Sequence, residues 1–177
     1  MSAFALSGPV PSLSDVPDRA LRPRVPGQRP RPTTPLAVPD LRSLEIRRRR
    51  INETAVAVEG EGPLQVVLYA LAGPDEDVHD QLAAARGCAA AHALAVVNPP
   101  IVDTLDYVDA RTGGDDPLLR RGYTQAMRMI TGPGPVRGVV AASHRAVSAA
   151  LYVYDAQLTW YADHRAGLWL ARCETTI

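Results

Sequence analysis

Between Leu64 and Ala171, short apolar runs alternate with segments whose apolar residues recur at helical spacing. That alternation constrains the fold of this chain more than any other feature. Leu64 to Leu71 is an apolar run of strand length. Gly73-Pro74-Asp75-Glu76-Asp77 then reads as a helix start, with Pro in the first turn and acids facing the positive end of the dipole. Val78, Leu82, Ala85, Ala89 and Ala93 follow as a helical stripe, and Leu94 to Val97 is a second strand stopped by Asn98-Pro99-Pro100. After a loop through Tyr107-Val108-Asp109 to Gly113-Gly114, Pro117 opens a second helix with the stripe Leu119, Tyr123, Ala126, Met127 and Ile130. Val136 to Ala142 is a third strand. Val147, Leu151, Tyr154, Leu158 and Tyr161 line a third helix, and Gly167 to Ala171 is a last strand. Strands alternating with amphipathic helices predict an α/β domain with a largely parallel sheet.

The N-terminal part has a different composition. Residues 1–42 hold nine of the sixteen prolines, interleaved with arginines such as Arg22, Arg24, Arg29 and Arg31. Proline removes backbone donors, and large apolar residues are few, so residues 1–50 read as a disordered Pro/Arg-rich arm closed by Arg47-Arg48-Arg49-Arg50. The domain proper is then 51–177, with Thr54 to Val58 as a weak edge strand. Formal charge is zero overall but unevenly spread. Ten Arg against four acids leave residues 1–50 at +6, and nine Arg against fifteen acids leave the rest at −6. A basic tail of this kind suits nucleic acid or another acidic surface. Every basic residue is Arg, which with the high Ala content reflects coding bias more simply than function.

No stretch approaches the roughly 20 apolar residues of a membrane span, and the first residues lack the apolar core of a signal peptide. Two cysteines, Cys88 and Cys173, without a CxxC pairing, predict a reduced, cytoplasmic protein.

The order of elements resembles a known family. A strand with Tyr69, a turn, a helix carrying Gln81, a strand, a Tyr-x-Asp loop with Thr112-Gly113, a helix opened by Pro117-Leu118, a strand, and then Ser143-His144-Arg145-Ala146-Val147-Ser148 follow in succession. This resembles the N-terminal catalytic domain of serine recombinases, the resolvase and invertase family, over roughly residues 63–173. The resemblance implies a three-layer resolvase-like α/β domain with a mostly parallel four- or five-stranded sheet.

The family's chemistry rests on motifs that are degenerate here. Where members carry Tyr-x-Arg-x-Ser at the end of the first strand, this chain keeps Tyr69 but has Leu71 for the Arg and Gly73 for the nucleophilic Ser. The Arg-Pro pair opening the second helix is Asp116-Pro117. In the Asp-Arg-x-x-Arg motif after the third strand, Arg145 matches the first Arg, while His144 and Ser148 replace the Asp and the second Arg. Phosphodiester cleavage by Ser needs a nucleophile and a guanidinium cluster. Loss of a nucleophile alone costs about 10⁶-fold in rate in other covalent enzymes. The expectation is a domain that neither cuts nor joins DNA and uses no cofactor or metal. With the sequence ending at Ile177, the expectation is that the family's dimerisation helix and DNA-binding domain are missing and that any DNA contact falls to the arm or a partner protein.

Other residues weigh less. His79, His92, His144 and His164 show no metal-ligand spacing. Ser148 reads as a helix-start cap before it reads as a relocated nucleophile. Arg145 reads as a salt-bridge partner for Asp109 or a phosphate contact. Asp106, Asp109, Asp115 and Asp116 read as solvated acids. Two outcomes compete with an inactive binding module: an enzyme of another class with a site near Asp109, Thr112 and Arg145, and a mobile-element remnant without activity.

Overall fold

The computed structural model describes residues 39–58, 62–73, 77–105 and 116–175, all within one compact unit, Ala37–Ile177. Helix α1 (Leu41–Val58) is followed by β1 (Gln65–Ala72), α2 (Val78–Ala91) and β2 (Ala95–Thr104). A 3-10 turn (Pro117–Leu119) then leads to α3 (Arg121–Thr131), β3 (Val136–Ala141), α4 (His144–Val147), α5 (Leu151–Asp163) and β4 (Gly167–Leu170). The four strands form one sheet in the order β2-β1-β3-β4, and every pair is parallel.

Period-2 alternation along β1 divides the core in two. Val67, Tyr69 and Leu71 face α3, α4 and α5, where Tyr123, Ala126, Val147, Tyr154, Leu158 and Tyr161 meet them. Val66, Leu68 and Ala70 face Leu82, Ala85 and Ala89 of α2. A strand covered on both faces reads as an unbroken apolar run, which is why β1 was legible as one.

Helix α1 corrects the expected arm. Residues 41–50 are helical, so the arm cannot extend to Arg50, and Thr54 to Val58 belong to the same helix and form no strand. Asp40 starts the helix by accepting the Ser43 N–H at 2.9 Å, an N-cap bond. Leu44, Arg48, Ile51, Asn52 and Ala55 form its buried stripe at helical spacing. Arg is a good helix former, and the run of charge hid the stripe beneath it. Residues 1–38, with the rest of the expected arm, lie outside the described residues.

Three further expectations change in detail. Strand β2 continues through Pro99-Pro100 to Thr104. It is an edge strand, and between the pairs Val67↔Val97 and Tyr69↔Ile101 it carries extra residues opposite Leu68. Prolines are tolerated in such an irregularity because no ladder bond is asked of them there. The second helix breaks at Arg120, leaving Leu119 exposed on the 3-10 turn. The third helix is likewise split into α4 and α5, with Ser148 between them. No helix among the described residues is long and apolar enough to cross a membrane.

Candidate functional site

In a parallel sheet of this order the chain leaves β1 toward β2 on one side, while β3 lies on the other. The crevice at the carboxyl ends of β1 and β3 is therefore where an α/β protein ordinarily binds its ligand. At that crevice the end of β1 is completed by a side chain from α2. Register between β1 and β3 ends at Tyr69↔Ala141, after which β3 turns into α4. Leu71 would be left with its N–H and C=O unpaired on that side. The Gln81 side chain closes both: its Oε1 accepts the Leu71 N–H at 3.2 Å and its Nε2 donates to the Leu71 carbonyl at 2.8 Å. The Leu71 side chain is buried in the core beneath.

Beside this tip a polar chain runs inward. The Asp103 carboxylate at the end of β2 accepts from the N–H groups of Gly122 (2.7 Å) and Tyr123 (2.8 Å), capping α3 from another element. It also accepts from the Tyr69 hydroxyl at 3.0 Å. Gly122 permits the approach, because a Cβ there would meet Ile101 Cγ2 at 2.6 Å and the Asp103 carboxylate at 2.7 Å. The buried Arg120 guanidinium donates to the carbonyls of Ala146 (2.8 Å) and Val147 (3.0 Å), joining the start of α3 to the end of α4. Burial pushes the Tyr69 hydroxyl well above its ordinary pKa, Arg120 pulls it down and Asp103 raises it again. These hydrogen bonds tie β1, β2, α3 and α4 together at this end of the sheet.

No protein-family model, curated protein or solved structure matches this chain.

The residues singled out from the sequence are scattered by function. Leu71 is packing, and Gly73 ends the strand without a side chain. Asp116 caps the 3-10 turn by accepting the Leu118 N–H at 2.9 Å. Arg145 is exposed on α4 and makes no ion pair among the described residues, while Asp109 and Thr112 lie outside them. Ser148 is fully buried, and its Oγ accepts from the Ala150 N–H at 3.1 Å, fixing the turn before α5. A hydroxyl held there has no route to a substrate.

The four consecutive arginines also part company. Arg47 pairs with Asp155 and donates to Thr159 Oγ1 at 2.7 Å. Arg48 is buried in a bidentate pair with Glu174, with Nε to Oε1 at 2.6 Å and Nη2 to Oε2 at 3.1 Å. Arg49 pairs with Glu45 one turn back, and Arg50 is exposed. Arg48 is therefore removed from any nucleic-acid-facing set, whereas Arg22, Arg24, Arg29 and Arg31 lie outside the described residues. Sequence reasoning missed Arg120 and Asp103. The only local signal was an Arg directly before a helix and an acid at a strand end, which is too common to single out.

Proposed function

We propose that this chain is a catalytically inactive, serine-recombinase-like α/β module that acts by binding, with nucleic-acid phosphates as the ligand of its N-terminal arginines. The observation that carries this reading is the β1 tip. Where the resembled family places a nucleophile and its arginine, this chain has Gly73 and a buried Leu71 whose main chain is closed by Gln81. A parallel β2-β1-β3-β4 sheet with helices on both faces supports the resolvase-like architecture. Five arginines against Asp15 and Asp18 leave residues 1–38 at +3, which supports an acidic polymer as partner.

The test is a salt series of binding to a labelled DNA duplex. The full chain should lose affinity linearly on a log–log plot, with a slope of about −0.9 for each phosphate neutralised. Replacing Arg22, Arg24, Arg29 and Arg31 together by Gln should flatten that slope by up to about 3.6. Equal binding by both proteins, or binding by neither, overturns the phosphate half of the reading. A covalent protein–DNA adduct overturns the inactive half.

A further inference from the structure

Two clefts flank α1, and they differ in charge. One, of about 860 Å³, includes Arg48, Arg49, Glu53 and Arg172 in its walls. Its Arg48 is held by Glu174 and its Arg49 by Glu45, and its lining also holds the carboxylate of Glu53. The other, of about 600 Å³, lies where α1 runs beside the carboxyl end of α5. Among the described residues it is lined by Ile46, Arg47, Arg50, Ile51, Ala162 and Arg165, together with two hydroxyl residues, and by no carboxylate. Arg47 is engaged by Asp155. Arg50 and Arg165 are exposed and make no ion pair among the described residues. Ile46, in the same lining, keeps 46% of its surface exposed.

We propose that this second cleft is a binding site for a small phosphorylated ligand with a planar or apolar body, such as a nucleoside monophosphate. The planar fork of Arg matches phosphate oxygens in pairs, and two such forks that lack carboxylates are complementary to a dianion. Ile46, Ile51 and Ala162 supply an apolar floor for the ligand body, and the volume falls in the usual range for small-molecule sites. The lining shares no residue with the β1 tip or with Arg22, Arg24, Arg29 and Arg31, and the site does not depend on the proposed nucleic-acid function.

The backbone at Arg165 provides a sharp test. Arg165 follows the C-cap of α5 with φ of 51°, a left-handed conformation that favours glycine. Its N–H donates to the Ala162 carbonyl at 3.1 Å, and the Ala166 N–H donates to the Tyr161 carbonyl at 3.0 Å. Ala93 repeats this geometry after α2, with φ of 53° and a Leu94 N–H to Ala89 carbonyl bond of 2.9 Å. Arg165→Gly therefore relieves backbone strain while deleting one phosphate ligand, and Ala93→Gly relieves the same strain at a residue outside the cleft lining.

Calorimetric titration of the full chain with adenosine monophosphate, inorganic phosphate and adenosine tests the site. Adenosine monophosphate should bind, and adenosine should bind roughly tenfold or more weakly, since hydrogen bonds to a charged group are lost. Arg50→Gln and Arg165→Gly should each weaken the monophosphate by roughly tenfold, with the Tm of Arg165→Gly at or above that of the parent. Ala93→Gly should raise the Tm and leave affinity unchanged. The proposal is overturned if neither monophosphate nor inorganic phosphate binds at millimolar concentration. It is equally overturned if adenosine matches the monophosphate, or if the two arginine variants bind like the parent. The Arg22/Arg24/Arg29/Arg31→Gln protein should keep monophosphate binding, which separates failure of this site from failure of the DNA reading.

Discussion

Asn52 on α1 treats Leu168 on β4 as a neighbouring strand would. Its Nδ2 donates to the Leu168 carbonyl at 2.9 Å, and its Oδ1 accepts the Leu168 N–H at 2.8 Å. Strand β4 is the edge of the sheet next to α1, and an uncovered edge is a template for pairing with other chains. Gln81 does the same for Leu71 at the tip of β1. Two side-chain amides thus finish backbone ladders that the strands leave incomplete.

Asn52→Ala should therefore destabilise the domain by about 2–4 kcal/mol, because it leaves a buried donor and a buried acceptor on Leu168 unpaired. Urea denaturation checks this. A loss under about 0.5 kcal/mol would mean that water replaces the amide and that the edge is not sealed.

Glu174 predicts an acid limb. Burial alone would raise its pKa, but hydrogen bonds from Arg48 and from Tyr154 (2.7 Å) bring it below the ordinary carboxylate value of 4.5. A depressed carboxyl contributes stability that is present above pH 4.5 and lost as pH falls through the folded-state value. His144 adds to the same limb at higher pH. Burial lowers its pKa from 6.5, so its contribution is present above 6.5 and fades below it. A Tm series from pH 8 to pH 3 should fall in these two stages. Glu174→Ala should cost about 3–5 kcal/mol by stranding the Arg48 charge, and Arg48→Met with Glu174→Leu should recover most of it. If the double variant is no better than the single, burial of the unpaired cation is not the cause.

Four buried tyrosines predict an alkaline limb. Burial raises the pKa of Tyr69, Tyr123, Tyr154 and Tyr161 above the ordinary value of 10. Raised groups contribute stability that is fully present below pH 10 and lost as pH rises toward the folded-state values. Tyrosinate absorbance from these residues should appear together with loss of the fold. Their ionisation with the fold intact would contradict the packing described.

Gly122→Ala should destabilise by about 1–3 kcal/mol, since the new methyl meets Ile101 and the carboxylate of Asp103 at under 3 Å. Thermal melting reads the loss. An Asp103→Asn partner separates crowding from the loss of the charged cap on α3. If Gly122→Ala melts like the parent, the two elements are less tightly apposed than their hydrogen bonds require.

Local pattern carried the strands and helices well wherever one residue type dominated an element. The apolar run of β1, the stripe of α2 from Val78 to Ala89 and the strand at Val136 to Ala141 could be read directly, because burial on fixed faces imposes a period on the sequence itself. The chemistry missing from the β1 tip was equally legible, since Leu71, Ala72 and Gly73 carry no reactive group in any fold. Charge was the poor guide. Arg47 to Arg50 looked like one basic cluster, yet the four guanidinium groups lie on different flanks of α1 and meet different partners.

Those partners come from distant parts of the chain. Arg48 needs Glu174, 126 residues away, and Asn52 needs Leu168, 116 residues away. A helix turns each successive side chain by about 100°, so which arginine is buried and which faces the open cleft depends on what packs against each flank. Periodicity and residue chemistry determine the kind of element and the reactions it cannot perform. Burial, pairing and the sealing of sheet edges are decided only when the folded chain brings remote side chains within hydrogen-bonding distance.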